Sequence, residues 1–342
     1  MTLEIGFTGD VMLGRVVDDR QRRRSVDAVW GDVGDRLRDL DGLVINLECV
    51  LSNRGSEWQR THRPFHFRAD PDRAVPALER AGVDVCALAN NHVLDYEEVA
   101  LRDTLAHLDE AGIAHAGAGE TIDAALEPAT RSIADLDLAV VSFTDNTPEY
   151  AADEDSPGTA WIPIDETRRT PGGQRWNDQD ARTRQRVRTA LDRARATDPD
   201  LLVASLHWGP NMVTEPPDAF RAFGRWLVEE GVDVIHGHSA HVFQGIEVHE
   251  GSPIMYDAGD FVDDYRVDPE LRNDRGFLFV LETDADGALE TLRLEPIEIG
   301  DCAVHEAGSE AAEWSRRRMR DRSEPYGTTF GRDGEALVLP LD

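Results

Sequence analysis

Short apolar runs recur along the 342-residue chain and lead into polar, often glycine-bearing turns: LEIGFTGD at 3–10, GLVINLE at 42–48, VDVCALANNH at 83–92, LAVVSFTD at 138–145, LLVASLHWG at 201–209 and VDVIHGH at 232–238. Their length and β-branched content mark buried strands. Between several of them lie helical patterns at 71–82, 96–112 and 220–231, each ending in a glycine placed for a helix C′ position. Strands alternating with helices argue an α/β fold, in which ligands gather where loops leave the carboxyl ends of strands. Two later runs, GFLFVLETD and ALETLRLEPIEI, alternate as antiparallel strands joined by DADG and are placed to finish a second sheet. Residues 148–180 turn polar and rich in proline and glycine, a long surface excursion over the site or away from it. The main domain is expected over 1–300, with a charged C-terminal helix and tail at 301–342.

All 36 basic residues are arginine, against 67 acidic ones, for a net charge of -31. A lysine-free acidic surface fits a proteome adapted to high salt, where screening over about 3 Å at 1 M removes most self-repulsion. It disfavours nucleic acid and anionic membranes as partners. Cys49, Cys86 and Cys302 are odd in number and scattered, which points to a reducing compartment. The N-terminus opens directly as a strand, and no stretch reaches the ~18 unbroken apolar residues of a membrane span. A soluble cytoplasmic protein is expected.

The strand ends carry the chemistry. Asp10, Glu48, Asn91 with His92, His207, and His238 with His241 follow five separate apolar runs. Imidazole, carboxylate and amide donors together suit Zn, Mn or Fe, whereas Mg alone would prefer oxygen throughout. The donors suffice for two divalent ions about 3.5–4 Å apart, an arrangement used for hydrolysis at phosphorus or carbonyl centres. Glu48 is the candidate bridge and His92 the candidate acid for the leaving group. Asp95 either fixes the His92 tautomer or caps the following helix together with Glu98. Arg15 either holds an anionic substrate group or forms a surface ion pair. Trp208 lines the pocket or caps the core, His62 and His66 are substrate-side or solvated, and His236 is strand-end structure.

The strings GDVMLGR, NLECVLS, ANNHVLDY, SLHWG, GHSAHVFQG and YDAGDF, in this order over residues 2 to 265, resemble the CapA-type poly-γ-glutamate capsule biosynthesis family, a branch of the calcineurin-like metallophosphatase superfamily. The resemblance implies a four-layer α/β sandwich, two mixed sheets flanked by helices, with a dinuclear metal centre at the strand ends. It makes Asp10 the first aspartate, Glu48 the bridging carboxylate and Asn91 the amide ligand. His92 becomes the neighbouring acid, His207 the fourth-motif histidine, and His238 and His241 the closing pair. Three departures stand out. Met12 stands where the usual Asp-x-His of the first motif has its histidine, the closing motif is one residue longer, and Gly259-Asp260 stands where Gly-Asn is common. Asp260 then supplies an extra carboxylate or reflects general acidification. The implied function is a metal-dependent hydrolase acting on a phosphoester or an amide or peptide-like bond in a small molecule or anionic polymer. The alternative is a non-hydrolytic accessory or binding protein for polymer synthesis.

Overall fold

Leu3, Ile5 and Phe7 occupy alternate positions of β1 (Leu3–Val11), so the strand period turns all three to one face. In the computed structural model, which describes residues 2–164, 177–284 and 286–341, that face packs between two sheets. β1 pairs in parallel with β2 (Gly42–Leu47), and the parallel order continues through β3 (Val85–Ala87) to β4 (Ala114–Ala116).

The second sheet is six-stranded. It is built from β5 (Ala129–Ile133), β6 (Leu136–Thr144), β7 (Leu201–His207), β8 (Val234–His238), β9 (Ile246–His249) and β10 (Ser252–Met255), in the order β9-β10-β8-β7-β6-β5. Leu201 and Val203 of β7 face the first sheet, whereas Leu202 and Ala204 face outward to the helices.

The far side of β1 departs from the sequence expectation. β11 (Asp260–Val262) pairs with β1 in parallel, and β12 (Arg275–Thr283) pairs with it antiparallel. β12 and β13 (Leu289–Gly300) form the expected hairpin, but it extends the first sheet and does not finish the second. After β14 (Ala303–Glu306) and the charged helix, the segment read as a tail forms β15 (Gly331–Asp333) and β16 (Ala336–Pro340), with β16 paired to β13. Alternation reveals which face of a strand is buried; it does not reveal which sheet supplies the neighbour.

Helices close both outer faces. α1 (Pro71–Ala81) starts at Asp70, whose carboxylate accepts from the Asp72 N–H, and ends at Gly82 with φ +76°. α1 and α2 (Glu97–Ala111) place Leu78, Leu101 and Leu108 over Ile45 and Cys86 of the first sheet. α3 (Asn177–Arg195) and α4 (Asp218–Glu229) place Val187, Leu191 and Leu227 over the second. The charged α5 (Ser309–Ser323) sets Met319 into the layer between the sheets. The architecture is thus an α/β sandwich of four layers. Of the 148–180 excursion, 165–176 lie outside the described residues, while its first part turns Tyr150 fully inward. Cys49, Cys86 and Cys302 are free thiols, the first two buried. No helix among the described residues is long and apolar enough to cross a membrane.

Candidate metal centre

Strand ends from both sheets converge on one point. Asp10 ends the straight part of β1, is the register partner of Asp260 on β11, and donates its N–H to Gly259 O at 2.8 Å. Glu48 follows β2, and Asn91 and His92 lie in the turn after β3. His207 and His238 are direct partners at the ends of β7 and β8. The loop beyond brings in His241, and there Ser239 (φ +112°) and His241 (φ +58°) both hold backbone conformations disfavoured for side-chain-bearing residues.

Asp10 stands in the middle. Its Oδ1 accepts from Asn46 Nδ2 at 2.7 Å and lies 3.5 Å from His238 Nδ1 and 3.9 Å from His207 Nδ1. Its Oδ2 lies 3.4 Å from His241 Nδ1, which is 2.8 Å from Asp260 Oδ1. Among the described residues, Asp10–His207–His238 and Asp10–His241–Asp260 each gather donor atoms within 4.8 Å of one another. Asp10 belongs to both groups. Glu48 Oε1 lies 3.6 Å from His92 Nε2 and 3.8 Å from His207 Nε2.

Glu48 Oε1, Asn91 Oδ1, His207 Nε2, Asp260 Oδ2 and Asp263 Oδ2 are buried and have no hydrogen-bond partner. Unsatisfied buried polar atoms are rare and costly. Glu48 Oε1 lies beside His207, and His207 and Asp260 each belong to one of the two donor groups, which fits a site that holds divalent cations.

Burial pushes the Glu48 carboxyl well above its ordinary range, and the Asp10 charge adds to the effect. Burial raises Asp263 likewise, with Asp260 reinforcing it. For Asp10 burial works upward too, but the His241 hydrogen bond and the charges of His207 and His238 hold it below the usual carboxylate range. Burial pushes His207 down to about 3, pushes His238 well below its ordinary value, and also lowers His92. Burial opposes the charge on His241 as well, yet Asp260 and Asp10 hold it well above normal. An ionised Asp10 between neutral His207 and His238 is the protonation state that a cation requires.

Tautomers are set by neighbours. His92 Nδ1 lies 2.6 Å from Asp95 Oδ2, so it donates there and leaves Nε2 facing Glu48. Asp95 also accepts from the Phe67 N–H and from Tyr150 OH. It does not cap α2, whose N-cap is Tyr96 with no side-chain hydrogen bond. A second chain of bonds orients His238. His236 Nε2 is 2.7 Å from Thr8 O, which only accepts, so His236 Nδ1 must accept from Ser205 Oγ at 3.2 Å. Ser205 Oγ then accepts from His238 Nε2 at 2.9 Å, leaving the His238 Nδ1 lone pair to face His207 Nδ1 at 3.0 Å and Asp10 Oδ1 at 3.5 Å. His236 is therefore an orienting residue as well as a strand-end one. Ser205→Ala is expected to weaken zinc binding about 10-fold or more, as loss of a ligand's orienting partner commonly does. Isothermal titration with Zn²⁺ reads it, and unchanged affinity would remove the role.

The centre opens into a cavity of ≈ 360 Å³ lined by Arg63, Phe65, Asn91, His92, Tyr265 and Arg266 among others. Arg63 donates to Thr147 Oγ1 and to Asn91 O and lies over the Tyr150 ring. Arg15 is not among the lining residues. It lies 3.4 Å from Asp264 and stacks over Phe65 and Phe67, the ion-pair alternative. Trp208 is buried against Phe220 and Tyr256, so it caps the core. His62 is exposed, and His66 Nε2 lies 3.2 Å from Trp58 O. Asn46, Asn90, Arg63, Tyr150, Ser205, Asp257 and Asp263 were not singled out from sequence. Asn90 bonds Asn46 and the His92 N–H, and Asp257 accepts from the Ala240 and Gly259 N–H groups.

A family profile described as bacterial capsule synthesis protein PGA_cap matches residues 4–265. The chain belongs to that family. A probable polyglutamine synthesis accessory protein of Mycobacterium tuberculosis (strain ATCC 25618 / H37Rv) is 32% identical over 311 residues, covering 87% of this chain and 77% of that one. The capsule biosynthesis protein CapA of Bacillus anthracis is 29% identical over 263 residues, 77% of this chain and 60% of its own length. The PGA biosynthesis protein CapA of Bacillus subtilis (strain 168) is 27% identical over 264 residues, 77% and 63%. This PGA_cap chain thus spans less than two thirds of either Bacillus relative. The matched segment contains every candidate ligand from Asp10 to Asp260.

Proposed function

We propose that this PGA_cap-family chain is a metal-dependent hydrolase that cleaves a phosphoester or an amide or peptide-like bond in an anionic polymer or small anion. The observation that carries the reading is the set of buried donor atoms without protein partners, beside a cavity that His92 lines. Two divalent ions of the Mn, Fe or Zn type, when bound, would supply a hydroxide nucleophile at neutral pH and polarise the scissile group. Asp10, His207, His238 and His241 would hold them, with Glu48, Asn91 and Asp260 offering the remaining oxygens. His92 enters neutral, because burial lowers its pKa. With Nδ1–H committed to Asp95, its Nε2 can accept a proton and return it to the leaving group. Arg63 and Arg266 set cationic groups at the cavity of a chain whose net charge is -31, which favours an anionic substrate there and little elsewhere.

The test is turnover by protein stripped and reloaded with Mn²⁺ or Zn²⁺, measured on aryl phosphomonoesters, phosphodiesters and γ-glutamyl amides. Turnover of one class is expected, falling about 10²–10⁴-fold in His92→Ala with the metal content retained. A second reading, an accessory that binds polymer without cleaving it, is favoured by the name of the Mycobacterium relative, a probable polyglutamine synthesis accessory protein. No turnover with metal bound, together with a rise in unfolding temperature on adding poly-γ-glutamate, would select it.

A further inference from the structure

Among the described residues the exposed large apolar side chains are Val16, Phe65, Met212 and Val267, each between 37% and 45% exposed. Scattered singly, such residues carry no message. These come from four separate stretches of the chain and yet surround one opening. Phe65 and Met212 line the cavity beside the candidate centre, and Val267 follows Arg266, which lines it too. Val16 is tied to the same edge: its N–H donates to Asp264 Oδ2 at 3.0 Å, and the neighbouring Arg15 guanidinium lies 4.6 Å from the centre of the Phe65 ring. The Tyr265 ring, also part of the cavity wall, stands 6.0 Å from that of Phe65.

The backbone is held to this arrangement. Met212 has φ +58° and Arg15 φ +55°, a left-handed conformation uncommon for residues with such side chains. The Met212 N–H is fixed by Ala240 O at 2.8 Å, and Val213 O accepts from Gln244 Nε2 at 2.8 Å. Backbone outliers persist only where their surroundings over-determine them, and they gather at ligand clamps. The cavity is also graded in depth. His92 and His241 are buried at its inner end, whereas Phe65 and Met212 stand in solvent at its mouth. Neither mouth residue offers a donor to a metal ion, and a polymer of free carboxylates would lay charge along them at a desolvation cost.

We propose that the rim reads an apolar group: the substrate is a small anion whose reacting end enters toward His92 while an attached apolar moiety lies against Phe65 and Met212. Binding would then remove from water the apolar surface that the free protein exposes there. A methionine suits this position, because its unbranched thioether adapts to irregular apolar or aromatic surfaces. Phe65 and Met212 are specificity residues, touching the part of the substrate that does not react. The inference rests on the cavity being the substrate site, as proposed above, and names the class of substrate for it.

The experiment is isothermal titration of the Mn²⁺-loaded chain with two pairs of anions, each pair differing only in its apolar part: methylphosphonate and phenylphosphonate, acetohydroxamate and benzohydroxamate. The phenyl member of at least one pair is expected to bind about 10-fold tighter or more than its methyl partner, the scale of a modest apolar contact. Phe65→Ser and Met212→Ser are each expected to remove most of that preference and to leave the methyl member within about 2-fold of wild type. Both side chains are exposed, and circular dichroism checks that the variants fold. Equal binding of the two members in both pairs, or a preference retained in both variants, overturns the proposal and leaves the substrate-site reading standing. Wild-type protein that sediments as a dimer, with Phe65→Ser a monomer, assigns the rim to a second copy of the chain and overturns it too. If the loaded protein binds none of the four anions, the proposal and the substrate-site reading fall together.

Discussion

Stripping divalent ions with a chelator is expected to lower the unfolding temperature by on the order of 10 °C. An ion present at 1,000 times its dissociation constant stabilises the folded state by about 4 kcal/mol. A change of 1 kcal/mol moves the midpoint of a chain of 150–250 residues by about 2–4 °C, and somewhat less for a longer one. The physical origin is the charge left behind. Asp10, Glu48, Asp257, Asp260 and Asp263 are all buried, and His207, His238 and His241 are the imidazoles gathered around Asp10. The sign of the pH dependence follows from Glu48 and Asp263, both held above their ordinary values of 4.5 and 3.8. In stripped protein they keep protons that unfolded chains release. The stability these groups contribute is full below the ordinary values and is lost as pH rises through the raised ones. Cation binding must expel those protons, so the gap between loaded and stripped midpoints should widen with pH. Thermal melts by circular dichroism at several pH values measure it; a gap that is absent, or that narrows with pH, would contradict the cation reading.

Gly9→Ala is expected to cost 4 kcal/mol or more in stability, on the order of the most damaging single substitutions, or to prevent folding. A Cβ at residue 9 would lie 2.0 Å from Gly259 O, and the blocking atom is backbone, which cannot swing aside. Gly237 is under the same constraint, 2.2 Å from Tyr256 O. Both glycines immediately precede candidate ligands, Asp10 and His238, so the absence of side chains there lets residues 256–260 press against two strands at once. The substitution should therefore also reduce bound metal in any folded fraction. Urea denaturation with elemental analysis reads both effects, and a variant of wild-type stability and metal content would refute the account.

The dispersed set of candidate ligands was legible because most of them follow an apolar run, and α/β strands collect such residues at one end. The orienting residues carried a weaker signal. Asn46, Ser205 and His236 each stand two positions before Glu48, His207 and His238, and the last two pairs share a face of their strands. Only contact shows that they bond. The loop residues Arg63, Tyr150 and Asp263 had no such pattern, since loops carry no period. Asp95 was ambiguous because a carboxylate before a helix fits a cap and a histidine partner equally; the short hydrogen bond to His92 decides it. The hairpin of β12 and β13 was recognised, but its sheet was not, because a strand's neighbour is set by distant residues. The apolar run ALVLP at 336–340, hidden behind a charged helix, was the missed sign of β16.

The placement of β1 has a consequence for the order of assembly. β2 follows it closely in the chain and can pair with it early, but its other neighbours, β11 and β12, come from residues 260–283. Contacts of such sequence separation form slowly, because the intervening chain must be ordered before they can reward it. Asp10 therefore waits until the chain has been made as far as Asp260 before that residue arrives beside it. Completion of that half of the candidate centre belongs to the end of folding, and a chain interrupted before residue 260 would expose an unpaired edge of β1 as a site for misassembly.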